Sequence, residues 1–74
     1  MTKKVFINTE YITLGQLLKY ENILASGGLV KDFLLRTKVT VNDVVENRRG
    51  RKLYPGDIVD IEKIGKLEIG KNED

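Results

Sequence analysis

Four basic side chains stand within five consecutive residues near the middle of the chain. They are Arg48, Arg49, Arg51 and Lys52, and the one acid close to them is Glu46. A guanidinium group offers forked N–H donors that match phosphate oxygens, and it also stacks on unpaired bases. A solvated surface turn is the alternative, but this density of charge exceeds what solubility requires. The segment therefore predicts a contact site for a phosphate-rich partner.

Single cations elsewhere are further candidates. Lys31 follows the glycine pair that opens a predicted helix, where free N–H groups favour an anion, although an exposed lysine gives the same pattern. Arg36 stands four residues after Asp32, so it either contacts the partner or supports the helix through an ion pair. Lys19 and Lys38 could line the same groove, with a solvated lysine as the alternative.

Three tyrosines could stack on bases. Tyr54 directly follows the basic run and is the best candidate, although an aromatic turn residue often closes a small core instead. Tyr11 and Tyr20 flank a predicted helix, where packing is the expected role.

Composition limits the class of protein. The chain has 74 residues, of which 41% are hydrophobic and 32% charged. This balance is typical of a folded domain, and so short a chain supplies one core, so residues 1–74 are expected to form a single domain. The sequence contains no Cys and no His, which removes disulfides, thiolate metal sites and the commonest general base. We therefore expect no enzyme, no metal, no cofactor and no small-molecule substrate.

Charge is unevenly distributed along the chain. The net charge is only +2, but residues 31–52 hold seven Lys or Arg against three acids, whereas residues 53–74 hold three Lys against six acids. The middle of the chain is thus the part suited to a polyanion. No apolar run approaches the roughly 18 residues that span a bilayer, and the start lacks the apolar core of a signal peptide. A cytoplasmic protein without a membrane partner is expected.

One motif near the end resembles a phosphate-binding P-loop and is rejected. Gly65, Gly70 and Lys71 have the required spacing, but Asn72 replaces the Ser or Thr that binds magnesium, and no helix follows. The nearby acids, Asp57, Asp60 and Glu62, are expected in a turn and on a solvent face, so they do not predict a metal or acid–base site.

The first half of the chain predicts a strand and a helical hairpin. Residues 4–7 are strand formers flanked by lysines, which indicates an edge strand. Thr13 and Gln16 form a capping box before a helix over residues 14–22. Ser26 is expected to cap a second helix over residues 28–36, whose apolar stripe comprises Leu29, Val30, Phe33 and Leu34.

The second half predicts short antiparallel strands. Val39 and Val41 alternate with Thr40, and turn residues recur at 42–43, 47–50 and 54–57. Residues 58–62 alternate again, residues 65–70 form a further strand, and residues 71–74 are expected to fray. The fold class is therefore α+β, with a short helical hairpin packed on a small, mainly antiparallel β-sheet.

Five segments between residues 11 and 62 form a pattern through their order and spacing. They are Leu14-Gly15-Gln16-Leu17-Leu18, Ser26-Gly27-Gly28-Leu29-Val30-Lys31, Val39-Thr40-Val41-Asn42, Glu46-Asn47-Arg48-Arg49-Gly50-Arg51-Lys52-Leu53 and Gly56-Asp57-Ile58-Val59-Asp60-Ile61. In this pattern residues 11–62 resemble the S4 domain, the RNA-binding domain named after small-subunit ribosomal protein four, and within it a small stand-alone YaaA-like branch. Family members commonly have glycine where Thr37 and Asp43 stand. Asp43 can still serve a turn, whereas Thr37 disfavours positive φ and so predicts a different helix ending.

The resemblance implies the alpha-L RNA-binding motif, a fold that holds structured RNA across its helical hairpin and basic loop. It implies ribosomal RNA or the ribosome as the partner, in ribosome assembly or a translation-related process, with ribosome-associated proteins as a second class of partner. Every candidate side chain named above then becomes an RNA contact: Lys19, Lys31, Arg36, Lys38, Arg48, Arg49, Arg51, Lys52 and Tyr54.

The alternative is a small ubiquitin-like protein-interaction or carrier domain without RNA binding. Sulfur carriers of that type also combine a Val-x-Val-Asn strand with a Gly-Asp turn. They require a C-terminal Gly-Gly, whereas this chain ends Lys71-Asn72-Glu73-Asp74, and their helix stands elsewhere in the order of elements.

Overall fold

The computed structural model describes residues 2–72, in which two short helices pack on one face of a mainly antiparallel sheet. The five-stranded sheet has the order β1-β7-β6-β3-β4, and a separate two-stranded ribbon joins β2 to β5. The strands are β1 (Thr2–Ile7), β2 (Ile12–Thr13), β3 (Val39–Val41), β4 (Val44–Val45), β5 (Lys52–Leu53), β6 (Ile58–Ile61) and β7 (Gly65–Lys71). The helices are α1 (Leu14–Tyr20) and α2 (Val30–Arg36), with a 3-10 turn at Gly27–Leu29. The predicted α+β class is confirmed.

Strand β1 lies at the sheet edge, as its flanking lysines predict, but its partner is parallel. It pairs with β7 over six residues, from Thr2 opposite Lys66 to Ile7 opposite Lys71. All other strand pairs are antiparallel. On the outer face the Phe6 ring covers Gly70, where an added Cβ would lie 3.1 Å from the ring.

Helix α1 begins with the predicted capping box. The Gln16 N–H donates to the Thr13 hydroxyl at 3.3 Å, and the Thr13 N–H donates to the Gln16 side chain at 3.0 Å. The helix ends at Tyr20, two residues earlier than predicted, because Asn22 takes a left-handed conformation with φ of 58°.

Helix α2 differs from its prediction at its start and ends at Arg36 as predicted. Ser26 makes no side-chain capping bond, and the 3-10 turn precedes the helix. Leu29 lies in that turn, off the α-helical period, and is 49% exposed, so its predicted place in the apolar stripe is wrong. At the other end, Thr37 is extended (φ −121°) and its N–H donates to the Phe33 carbonyl at 2.9 Å, so the helix ends without a left-handed residue.

The β-rich half follows the predicted turns. Asn42 and Asp43 both have positive φ, 50° and 69°, which makes the tight β3–β4 hairpin turn. In the turn before β6, the Asp57 carboxylate accepts the Tyr54 N–H at 2.8 Å. The rejected P-loop segment lies within β7, a strand paired on both sides.

Strand β7 also continues further than predicted. Lys71 belongs to it, and the Asn72 N–H donates to the Ile7 carbonyl at 2.9 Å. Residues 73 and 74 of the predicted frayed end lie outside the described residues.

One hydrophobic core joins the helices to the sheet. Strands contribute most of the buried apolar side chains. They are Val5, Ile7, Ile12, Leu14, Leu17, Leu18, Val30, Leu34, Val39, Val41, Leu53, Val59, Ile61, Leu67 and Ile69. Neither helix in the described part of the chain has the length and apolar character that a membrane crossing requires.

Candidate nucleic-acid interface

The loop between β4 and β5, residues 46–51, carries the arginines and is called the basic loop here. Its backbone is bound to the start of α1: the Leu14 N–H donates to the Arg51 carbonyl and the Gly15 N–H to the Arg49 carbonyl, both at 2.9 Å. The first N–H groups of a helix have no partner inside the helix. Here they fix the position of the basic loop and are not available to an anion.

Gly15 allows this close approach. A Cβ added at Gly15 would lie 3.4 Å from both the Cβ and the carbonyl oxygen of Arg49, and 3.4 Å from Val30. The helix and the loop backbone are therefore in direct contact, and the Arg49 side chain emerges beside α1.

Glu46 organises two of the three arginines. This residue is only 6% exposed. Its carboxylate accepts two bonds from the Arg48 guanidinium, at 2.9 and 3.1 Å, and one from Arg51 at 2.8 Å. The Arg48 side chain, supported by Arg51, lowers the pKa of Glu46 from 4.5 to about 2 against the opposing effect of burial. The carboxylate is therefore ionised at neutral pH and holds both guanidinium groups in place.

This arrangement leaves the arginines unequal. The Arg48 side chain is 74% exposed and the Arg51 side chain 33%, and each keeps N–H donors that Glu46 does not use. Among the described residues, no carboxylate lies within ion-pair distance of Arg49. Arg49 is thus the arginine most available to a phosphate.

Arg49 faces Lys19 across a groove of about 250 Å³ between α1 and the basic loop. We call it the cationic groove. The Lys19 side chain lies beside Gly27, and its ammonium is 3.8 Å from the position that a Cβ at Gly27 would take. The lining residues are Thr13, Gly15, Gln16, Lys19, Gly27, Val30, Arg49 and Gly50. Two cations from separate elements, unpaired within residues 2–72, therefore converge on one surface.

Tyrosines form a second feature beside the basic loop. The Tyr11 and Tyr54 ring centroids lie 5.9 Å apart with a tilt of 50°. The Lys52 ammonium lies 4.9 Å from the centroid of the Tyr11 ring. The sequence predicts packing for Tyr11 and Tyr20. Tyr11 is 36% exposed and its ring packs against Tyr54 and Lys52. Tyr20 is 61% exposed, so the packing predicted for it is wrong.

The remaining predicted cations line neither of the two grooves beside the basic loop. Lys31 is exposed on α2, and Arg36 donates to Asp32 at 3.0 Å, the helix-supporting pair that the spacing allowed. Lys38 lines a different groove, among Asp43, Asp60 and Glu62. The structure therefore brings together Lys19, Arg48, Arg49, Arg51, Lys52 and Tyr54, and it leaves Lys31, Arg36 and Lys38 outside that group.

Sequence reasoning missed Glu46 and Tyr11 as parts of the site. Glu46 was noted only as an acid near the arginines, and its burial depends on the fold. The role of Tyr11 can be recognised only when β2 is known to pair with β5. The pairing of Ile12 with Leu53 places Tyr11 next to Tyr54.

Comparisons with known proteins agree with this architecture. A family model described as the S4 domain matches residues 5–70. A relative named probable ribosome maturation protein RlbA, from Bacillus subtilis (strain 168), is 51% identical over 69 residues, which cover 93% of this chain and 97% of the relative. The match extends beyond residues 11–62 and takes in the second half of β1 and most of β7. The resemblance seen in the sequence is confirmed, and the chain belongs to the S4 domain family.

Proposed function

We propose that this protein is a non-catalytic module that binds structured RNA, with ribosomal RNA during ribosome assembly as its target. The observation that carries the proposal is the convergence of Lys19 and Arg49 on the cationic groove, beside the further cations of the basic loop. The relative named as a ribosome maturation protein supports the ribosomal target. Such a role implies the cytoplasm as the compartment and ribosome-associated proteins as neighbours.

The groove favours recognition of RNA by shape and phosphate position. Arg49 lies on a rigid support, since α1 holds the backbone of the basic loop by two hydrogen bonds. Next to it, Glu46 holds the guanidinium groups of Arg48 and Arg51. Double-stranded RNA presents phosphates and 2′-hydroxyls at fixed spacing, whereas its deep major groove hides the base edges. A preformed cationic surface therefore binds an RNA helix without reading its sequence.

The charged groups of the site favour binding over catalysis. A general base works best when its pKa lies near the operating pH. The pKa of Glu46 is about 2, and both of its oxygens already accept bonds from arginines. Its role is to position the loop.

Fluorescence anisotropy with a labelled, structured ribosomal RNA fragment tests the proposal across a salt series. Lys19→Ala/Arg49→Ala removes the two cations of the groove. We expect it to weaken binding at least about tenfold and to lower the log–log salt slope by about 2, since each lost phosphate contact accounts for roughly 0.7–0.9.

The matched control removes the same charge from the outer face of the sheet. Lys4→Ala/Lys66→Ala takes away two exposed lysines from β1 and β7, and it should leave the affinity within about threefold of wild type. Absence of wild-type binding at low salt would reject the proposed function. An equal loss of RNA affinity in both double variants would show that only the net charge of the protein matters, and it would reject the cationic groove as the binding site.

A further inference from the structure

Tyr11 and Tyr54 stand opposite each other on the solvent side of the β2–β5 ribbon. The ribbon pairs Ile12 with Leu53, and both of these side chains are buried. Side chains alternate between the two faces of a strand, so the next residues outward lie on the other face. If the strand register is continued by one residue, Tyr11 lies across from Tyr54. The distance of 5.9 Å between the centroids of their rings agrees with this pairing.

Both tyrosines are held at the backbone while their rings stay accessible. The Tyr54 N–H donates to the Asp57 carboxylate at 2.8 Å, and the Tyr11 carbonyl accepts the Thr9 hydroxyl at 2.8 Å. Tyr11 remains 36% exposed and Tyr54 43% exposed. An exposed aromatic pair on a fixed backbone loses little conformational entropy when a flat ligand stacks on it.

Cations surround the pair on the side of the basic loop. Lys52 lies against the Tyr11 ring, and an adjoining groove of about 520 Å³ is lined by Arg48, Gly50, Arg51, Lys52 and Tyr54. A nucleotide combines a flat base with an anionic phosphate, and this surface offers a partner for each. An apolar protein segment placed here would instead have to desolvate three cations, which is costly without matching acids.

We propose that Tyr11 and Tyr54 form a stacking platform for one unpaired RNA base, whose phosphate is bound by Lys52 and the neighbouring arginines. The inference rests on the proposed function and specifies its substrate: an RNA helix that carries an unpaired nucleotide, such as a bulge or a helix–loop junction. The helix lies along the cationic groove and the unpaired base on the platform. Because every base has a π-face, the platform selects an unpaired position and not a sequence.

The experiment uses an RNA hairpin with a single bulged 2-aminopurine and a matched hairpin in which the same base is paired. Stacking on tyrosine quenches the fluorescence of this base. The variants are Tyr54→Leu and Tyr11→Leu, which keep apolar bulk but remove the ring, with Tyr54→Phe and Tyr11→Phe as controls that keep it. Circular dichroism verifies the fold of each variant.

Wild type should bind the bulged hairpin about tenfold more tightly than the paired one and quench its fluorescence. The leucine variants should lose that preference and the quenching while keeping the salt slope, and the phenylalanine variants should keep both. Equal wild-type affinity for the two hairpins, with the groove variant still defective, would overturn the platform and leave the proposed function standing. Absence of wild-type binding to either hairpin would overturn both. A preference for the bulge that survives in both leucine variants would also reject these residues as the platform.

Discussion

A buried carboxylate lies among the arginines of the basic loop. Removing a carboxylate from water costs free energy, and its ion pairs repay that cost only when the geometry is good. Glu46 meets the condition with three guanidinium bonds and a fourth from the Arg48 backbone N–H at 3.1 Å. As a consequence, the basic loop can hold several positively charged side chains close together, because Glu46 offsets their mutual repulsion.

Glu46→Gln tests this role. The amide keeps the shape of the side chain but loses the charge, so the free energy of unfolding at pH 7 should fall by about 1.5–3 kcal/mol, the range for hydrogen bonds to charged groups. The difference should also depend on pH. Because the pKa of Glu46 is lower in the folded than in the unfolded state, its stabilisation is complete above about pH 4.5 and is lost as pH falls towards 2.

Urea denaturation of both proteins between pH 2 and pH 7 measures that dependence. The gap between wild type and Glu46→Gln should be constant above about pH 5 and shrink towards pH 2, which separates Glu46 from the other acids of the chain. A gap that stays the same down to pH 2 would contradict the assigned ion pairs.

At the scale of elements, the β3–β4 turn contains two residues with positive φ that have different roles. The Asn42 side chain donates to Asp57 at 3.1 Å and accepts the Ile58 N–H at 2.9 Å, so it joins this turn to the one before β6. Within residues 2–72 the Asp43 side chain makes no such bond. Only Asn42 is therefore needed for more than its backbone conformation.

Substituting glycine at each position separates the two roles. Asp43→Gly should raise the free energy of unfolding by about 0.5–1 kcal/mol, because glycine adopts positive φ without steric cost. Asn42→Gly also removes the steric cost of positive φ, but it loses two side-chain hydrogen bonds, so it should lower the free energy of unfolding by about 1–2 kcal/mol. Thermal unfolding of the two variants gives the comparison, and stabilisation by both would show that the Asn42 bonds contribute nothing.

The elements also show what sequence could and could not predict. The capping box of Thr13 and Gln16 and the β3 alternation depend on residues a few positions apart, and both predictions are confirmed. The pairing of β2 with β5 joins residues about forty positions apart, and no local pattern encodes it. The aromatic pair and the position of the basic loop both depend on that ribbon, so the site could be predicted as a set of charged residues but not as a surface.

At the scale of the whole molecule, the first and last strands of the chain pair with each other. Strand β1 pairs with β7 across nearly the full chain, from Thr2 opposite Lys66 to Ile7 opposite Lys71. Val5 on β1 and Ile69 on β7 are opposite each other and both are buried. The family match, residues 5–70, includes this buried pair and parts of both strands. The parallel pair is thus part of the fold, although the surface proposed to bind RNA lies on α1, the basic loop and the β2–β5 ribbon.

This pairing predicts when the terminal strands join the fold. Contacts distant in sequence carry a large loop-closure cost, so they tend to form after local ones. Val5→Ala should lower the free energy of unfolding by about 1–3 kcal/mol, mostly by accelerating unfolding and with little change in the folding rate. Val41→Ala is the matched control, since Val41 is equally buried and pairs with β4 three residues away in the chain.

Stopped-flow folding in urea measures both rates for each variant. For Val41→Ala we expect a larger fraction of the lost free energy of unfolding to appear as slower folding than for Val5→Ala. The reason is that the β3–β4 hairpin and the two helices can form before β1 pairs with β7. Equal slowing of folding by the two substitutions would place β1 in the folding nucleus. In that case the parallel pair would form early and help to organise the rest of the sheet, including the elements that carry the proposed RNA surface.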